Sequence, residues 1–153
     1  MHALELKIPP VAVALATGAA MAALSWAVPF AAVGVPARVP IGLALALGGI
    51  ALCAAGVAAF RRARTTVNPM TPDASSSLVA AGVYAHTRNP MYLGFAIILA
   101  GWGAALANVA AFSMLPLFVL YIDRYQIAPE EKALAARFGP AFASYAKRVR
   151  RWL

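Results

Sequence analysis

The chain has 153 residues, of which 63% are hydrophobic and only 12% charged, with a mean hydropathy of +0.76. A soluble domain carries about a quarter of its residues as charges, so the composition excludes one and points to a single domain with several membrane spans. Thirteen Lys and Arg against five Asp and Glu leave a net charge of +8; on so apolar a chain this fits cationic loops at one membrane face, and no nucleic-acid partner is expected.

The first apolar run covers residues 11–35, long enough for a span of about 20 residues, with Pro29 kinking or ending it and Trp26 at an interface. The N-terminal segment Met1–Lys7 lacks a strongly basic region, and the run behind it is long, so a retained helix is expected rather than a cleaved signal. After the turn Pro36-Ala37-Arg38-Val39-Pro40, residues 41–60 form the second span. Its small residues Gly42, Ala46, Gly49, Cys53 and Gly56 recur at helical spacing and give a face for close helix packing. Cys53 is the sole cysteine, which excludes an internal disulfide and a cysteine-built metal site.

A polar loop, residues 61–89, opens with Arg61-Arg62-Ala63-Arg64 and carries the turn signals Asn68-Pro69 and Thr71-Pro72. Loops this long inside a compact domain are usually either functional or disordered. Residues 90–107 form the third span, with Pro90 where a helix tolerates it. Residues 109–124 form the fourth, set off by Asn108 and kinked by Pro116. The tail, residues 125–153, holds two short helices, residues 130–138 and 141–152, separated by Gly139-Pro140. The second sets Phe142, Tyr145, Val149 and Trp152 against Lys147, Arg148, Arg150 and Arg151, the pattern of a helix lying on an anionic membrane surface. The fold class is therefore an all-α integral membrane protein with about four spans and short amphipathic C-terminal helices. Four spans place both termini and the 61–89 loop on one side, which holds nearly every basic residue and is therefore the cytoplasmic side, expected of a bacterial inner membrane.

Two polar stretches then meet on that side. The first, residues 82–94, gathers Tyr84, His86, Arg88, Asn89 and Tyr92 between Gly82 and Gly94; the second is Pro129-Glu130-Glu131, the chain's one pair of adjacent carboxylates. Singly, each has an ordinary explanation. Arg88 would snorkel, the tyrosines would be interfacial aromatics, His86 a solvated loop residue, and the glutamates first-turn carboxylates favoured by the helix dipole. Together, ionisable residues at membrane depth mark a site. Arg88 suits a carboxylate through paired bonds, while Glu130 or Glu131 suits a ribose diol or an ammonium. Neighbouring helical residues point about 100° apart, so only one of the two glutamates is expected to face the pocket. Aromatic walls favour a cation such as a sulfonium. There is no GxGxxG and no P-loop, which argues against a Rossmann dinucleotide site and nucleotide hydrolysis.

The ordered pattern Gly82-x-Tyr84-x-x-x-Arg88-x-Pro90-x-Tyr92-x-Gly94, then Glu130-Glu131-x-x-Leu134, Phe138-Gly139 and Tyr145, resembles the membrane methyltransferases that include the isoprenylcysteine carboxyl methyltransferases and the phospholipid N-methyltransferases. The resemblance covers about residues 76–152. It implies S-adenosylmethionine as methyl donor, held by Ser76, Ser77, Leu78, Val79, Tyr84, Asn89, Pro90, Met91, Tyr92 and Glu130; Arg88 is expected to grip the cofactor's carboxylate, and Glu131, on the neighbouring helical position, to point away from it. It also implies a lipophilic or lipid-modified acceptor drawn from the bilayer, in contact with membrane lipids. A carboxylate acceptor would be oriented by Arg124 or Arg88, and an amine acceptor would lose its proton to Glu131, Asp123 or His86. The chain departs from the family in having Asn89 where a histidine usually precedes the proline, with His86 as its nearest substitute. A membrane reductase of the sterol-reductase type, using a nicotinamide cofactor, and a non-catalytic membrane protein are the alternatives.

Overall fold

The computed structural model describes residues 5–64 and 77–153. Among them the chain is helical, with one isolated antiparallel bridge between Ala32 and Asn108. Helix α1 runs Pro10–Ala27 and α2 runs Arg38–Arg62. Both are long and apolar enough to cross a membrane. Helix α3, Pro90–Leu106, is apolar but shorter.

The first expected span ends early. Helix α1 stops at Ala27, and a 3-10 turn at Pro29–Ala31 follows. Pro29 has no N–H to extend the ladder, so it ends the helix rather than kinking it. The stretch expected as a fourth span is also divided. Helix α4 covers Val109–Phe112 and α5 covers Met114–Ile122, with the break at Ser113. Pro116 removes the donor that the Phe112 carbonyl would need, which places the break one residue beyond Phe112.

Helix α5 passes into a π-helical turn at Asp123–Ile127 and then into α6, Ala128–Phe138, with right-handed helical backbone at both joins. Pro129 leaves the carbonyl of Tyr125 without its helical donor, and the N–H of Leu6 takes it at 3.1 Å. The side chain of Gln126, fully buried, donates from Nε2 to the Ile8 carbonyl at 2.7 Å. The segment leading into α1 is thereby stitched to the π turn. Helix α7, Pro140–Arg148, follows Gly139, whose φ of +48° reverses the chain.

Helices α2 and α3 pack antiparallel through glycine. A Cβ on Gly42 would lie 2.7 Å from the Gly101 carbonyl oxygen, and one on Gly49 would lie 2.5 Å from that of Gly94. These contacts are to backbone, so only glycine lets the axes approach this closely. The small-residue stripe is a helix-packing face, as its spacing indicates. At the far end of α3, buried Asn108 accepts from the Ala111 N–H at 3.0 Å and donates to the Val28 carbonyl at 2.9 Å. A second core lies between α3, α5 and α1, where Met21, Leu99, Ala111, Phe118, Ile122 and Ile127 are buried with Tyr92.

The tail differs most from expectation. Helix α7 ends at Val149, whose backbone is extended, so helical periodicity does not continue to Trp152. Phe142, Tyr145 and Val149 are buried against Leu78, Ala80, Leu134 and Phe138. The apolar face expected to lie on a lipid surface is instead covered by the protein itself.

Candidate active site

At the N-terminus of α3 the chain gathers its charges. Asn89 precedes α3, and Pro90 and Met91 start it with their side chains turned to α2; a Cβ on Gly56 would sit 2.9 Å from Met91 Cγ and 3.5 Å from Pro90 Cγ. Tyr92, one step round the helix, faces the other way. Its hydroxyl donates to the Glu130 carboxyl in a very short hydrogen bond. Burial pushes the Glu130 carboxyl up to about 8, the Tyr92 bond opposes that rise, and the neighbouring Glu131 charge adds to it. Near neutral pH Glu130 therefore holds its proton in a large share of molecules.

Glu131 does not point away. Its Oε1 accepts from Arg88 Nη2 at 2.8 Å, and its carboxylate also meets Arg151, through Nε at 3.2 Å and Nη2 at 2.5 Å. Arg151 reaches further, with Nη1 on both oxygens of Asp123 at 3.0 and 2.9 Å. Trp152 Nε1 donates to the same Asp123 at 3.3 Å. The result is a chain of alternating charge, Arg88–Glu131–Arg151–Asp123, beside the Tyr92–Glu130 pair. Both glutamates thus serve one site, each toward a different partner. The two carboxylates beside Arg151 raise its pKa, while burial opposes them more weakly.

The π turn explains how Asp123 and Glu131 come to share one guanidinium. In an unbroken α-helix, residues eight apart differ by about 80° around the axis; one extra residue accommodated in a π turn brings them back onto nearly one face.

Backbone closes the other side. The Arg88 N–H donates to the Arg150 carbonyl at 3.0 Å, Thr87 Oγ1 to the Arg151 carbonyl at 3.3 Å, and Asn89 Nδ2 to the same carbonyl at 2.8 Å. Arg88 Nη1 donates to the Ala146 carbonyl at 2.8 Å, while its buried Nε finds no partner. Tyr84 is buried, its ring edge-on to Phe60 at 5.3 Å between centroids, and its carbonyl accepts from Tyr145 Oη at 2.8 Å. Burial raises the Tyr84 hydroxyl, and Tyr145 and Glu130 nearby raise it further.

Of the sequence-derived candidates, Tyr84, Arg88, Asn89, Tyr92, Glu130 and Glu131 converge here. Pro90 and Met91 shape the start of α3 and pack on α2. Leu78 belongs to the α7 core, Val79 is half-buried nearby in the chain, and Ser77 Oγ bonds the Ala63 carbonyl at 3.3 Å. Ser76 lies outside the described residues. His86 and Arg124 are exposed, and Asp123, beside Arg124, takes the inward position. Sequence reasoning missed Arg151, which it placed among membrane-facing cations. Its one signal was the adjoining Trp152, an aromatic that continued helical periodicity would have put on the apolar face. No group of three or more potential metal ligands occurs among the described residues.

A family model described as phospholipid methyltransferase matches residues 37–141. The chain belongs to that family. It is also 41% identical over 63 residues, 41% of this chain, to the full length of an uncharacterized protein of Haemophilus influenzae. Over 72 residues, 47% of this chain, it is 33% identical to the protein-S-isoprenylcysteine O-methyltransferase of Schizosaccharomyces pombe, of which the aligned part is 30%. No solved structure matches. The family match includes Arg88, Tyr92, Asp123 and both glutamates; Arg151 lies beyond it.

Proposed function

We propose that this protein transfers a methyl group from S-adenosylmethionine to a lipophilic acceptor, a carboxylate or an amine, at the cytoplasmic face of a membrane. Family membership supports methyl transfer, and the S. pombe relative is by its name an O-methyltransferase of a protein S-isoprenylcysteine. The observation that carries the cofactor is Arg88. Its guanidinium is held by Glu131 and the Ala146 carbonyl while a buried Nε–H stays unpartnered, a donor that a ligand carboxylate would satisfy. The Tyr92–Glu130 pair lies beside it with a carboxyl oxygen left for a ribose hydroxyl or an ammonium. The residues fit a zwitterionic amino-acid nucleotide.

The cofactor supplies an electrophilic methyl on a sulfonium. The protein's task is alignment and exclusion of water, which needs no covalent nucleophile. Arg88 and Tyr92 fix the donor's orientation. Glu130, which keeps its proton up to about pH 8, can take a proton from an amine only in the fraction of molecules that has lost its own, a fraction that grows as pH rises toward 8. Arg88 and Arg151 are both engaged by carboxylates, so the cluster does not offer the concentrated positive charge that a phosphate-rich nicotinamide cofactor wants.

In the membrane we place four spans, α1, α2, α3 and α4–α5, with both termini on the cytoplasmic side. A cysteine at position 76 in a Cys53→Ala background should react with an impermeant reagent only from that side; labelling from outside intact cells would overturn the orientation. For the activity, native membranes containing the protein are incubated with methyl-labelled S-adenosylmethionine. Label should appear in a molecule extractable into organic solvent and should vanish with Arg88→Ala. Absence of protein-dependent label in any lipid-soluble product would refute the reading.

A further inference from the structure

Helix α7 gives way at Val149 to a non-helical strap, residues 149–152, that runs from the start of α3 to the π turn. Its carbonyls at Arg150 and Arg151 receive Arg88, Thr87 and Asn89, and its one inward cation joins Asp123 to Glu131. A guanidinium suits this task because its planar fork serves two carboxylates at once: Nε and Nη2 lie side-on to Glu131, and Nη1 meets Asp123. Glu131 in turn holds Arg88 at 2.8 Å. Arg88 is nearly enclosed, with 14% of its side chain exposed, whereas Arg151 is 34% exposed and stands at the outer end of the chain of charges.

We propose that Arg151 is a positioning residue of the cofactor site: clamped between Asp123 and Glu131, it fixes Glu131 and, through it, the Arg88 guanidinium that receives the cofactor's carboxylate. The inference rests on the reading of this site as one for S-adenosylmethionine. Arg151 touches no cofactor in it. Freed of Arg151, Glu131 has Arg88 as its remaining cation and can swing with it, and Asp123 loses its bidentate partner. Arg88 then meets a ligand carboxylate in more than one orientation, and the preference for that carboxylate falls.

The test uses the full-length protein in lipid nanodiscs and two probes, S-adenosylmethionine and its decarboxylated analogue, which lacks only the group that Arg88 would hold. The wild type should bind the first at least tenfold more tightly than the second. Arg151→Gln should lose about tenfold for S-adenosylmethionine and under twofold for the analogue. Arg151→Lys should fail to restore the difference, because a single ammonium cannot fork between two carboxylates. Asp123→Asn, which leaves Arg151 in place and removes one arm of the clamp, should give an intermediate loss confined to the carboxylated probe. Equal losses for both probes across Arg151→Gln and Asp123→Asn, or wild-type discrimination in Arg151→Gln, overturns the positioning role alone. A wild type that binds neither probe overturns the cofactor reading, and this inference with it.

Discussion

The α2–α3 seam and the charged cluster at the start of α3 lie on the same helix and are held together in opposite ways. In the seam, Gly42 faces Gly101 and Gly49 faces Gly94, backbone against backbone, without an ionised group. In the cluster, Arg88, Glu131, Arg151 and Asp123 are held by directional bonds through side chains drawn from four parts of the chain. The seam tolerates no added volume and has no alternative arrangement to offer. The cluster can lose a member and keep its backbone course, but a remaining charge then lacks its partner. A closely packed apolar pair of helices thus carries one polar end.

The comparison is broken most severely by adding volume to the seam. Gly101→Leu would drive a side chain into the Gly42 carbonyl, which lies 2.6 Å from where even a Cβ would stand. Overpacking typically costs about 1–3 kcal/mol and more where backbone must move, so little folded protein should survive detergent extraction and gel filtration. Next comes Glu131→Gln, which leaves Arg88 and Arg151 with a neutral partner. Losing one member of a buried pair costs roughly 3–5 kcal/mol. The pair is 14% and 19% exposed, so a loss toward the lower end is expected in chemical denaturation. Unlike the seam variant, it should still insert and fold.

A smaller effect sharpens the contrast through pH. Glu130 keeps its proton up to about pH 8 in the folded chain, against an ordinary value of 4.5. Between those values the folded state binds more protons than the unfolded one, so this group's contribution to stability is present at low pH and is lost as pH rises to about 8. The melting temperature of the wild type should decline from pH 5.5 to 8.5, and Glu130→Gln should flatten that decline. An unchanged slope would show that Glu130 does not titrate as placed. The smallest effect is expected of His86→Ala. The side chain is exposed, so cofactor affinity should change less than threefold in titration calorimetry.

The seam was legible because its information is local. Gly42, Gly49 and Gly56 repeat on one face of a helix, and spacing alone shows which residues meet a neighbour. The motif at Tyr84–Tyr92 and the glutamates were legible as a density of polar groups in an apolar chain. What was hidden depended on departures from periodicity. The π turn at Asp123–Ile127 shifts the phase of α6, which brings Glu131 inward when regular geometry turns it away. The extended backbone at Val149 removes Arg151 from the cationic face that helical spacing assigns to it. The burial of Phe142 and Tyr145 against Leu78 and Leu134 is a tertiary contact, and amphipathic spacing cannot distinguish it from a lipid surface.

The most direct test of the central claim, that this cluster holds S-adenosylmethionine, is calorimetric titration of the cofactor into the purified protein in lipid nanodiscs, beside Arg88→Ala and Glu130→Gln. Leaving a buried donor or acceptor without its partner costs about 1–3 kcal/mol, up to roughly a hundredfold in affinity. The wild type should bind with one site per chain, and each variant should weaken binding by ten- to a hundredfold while retaining the helical content of the wild type. Wild-type affinity in both folded variants would contradict the account.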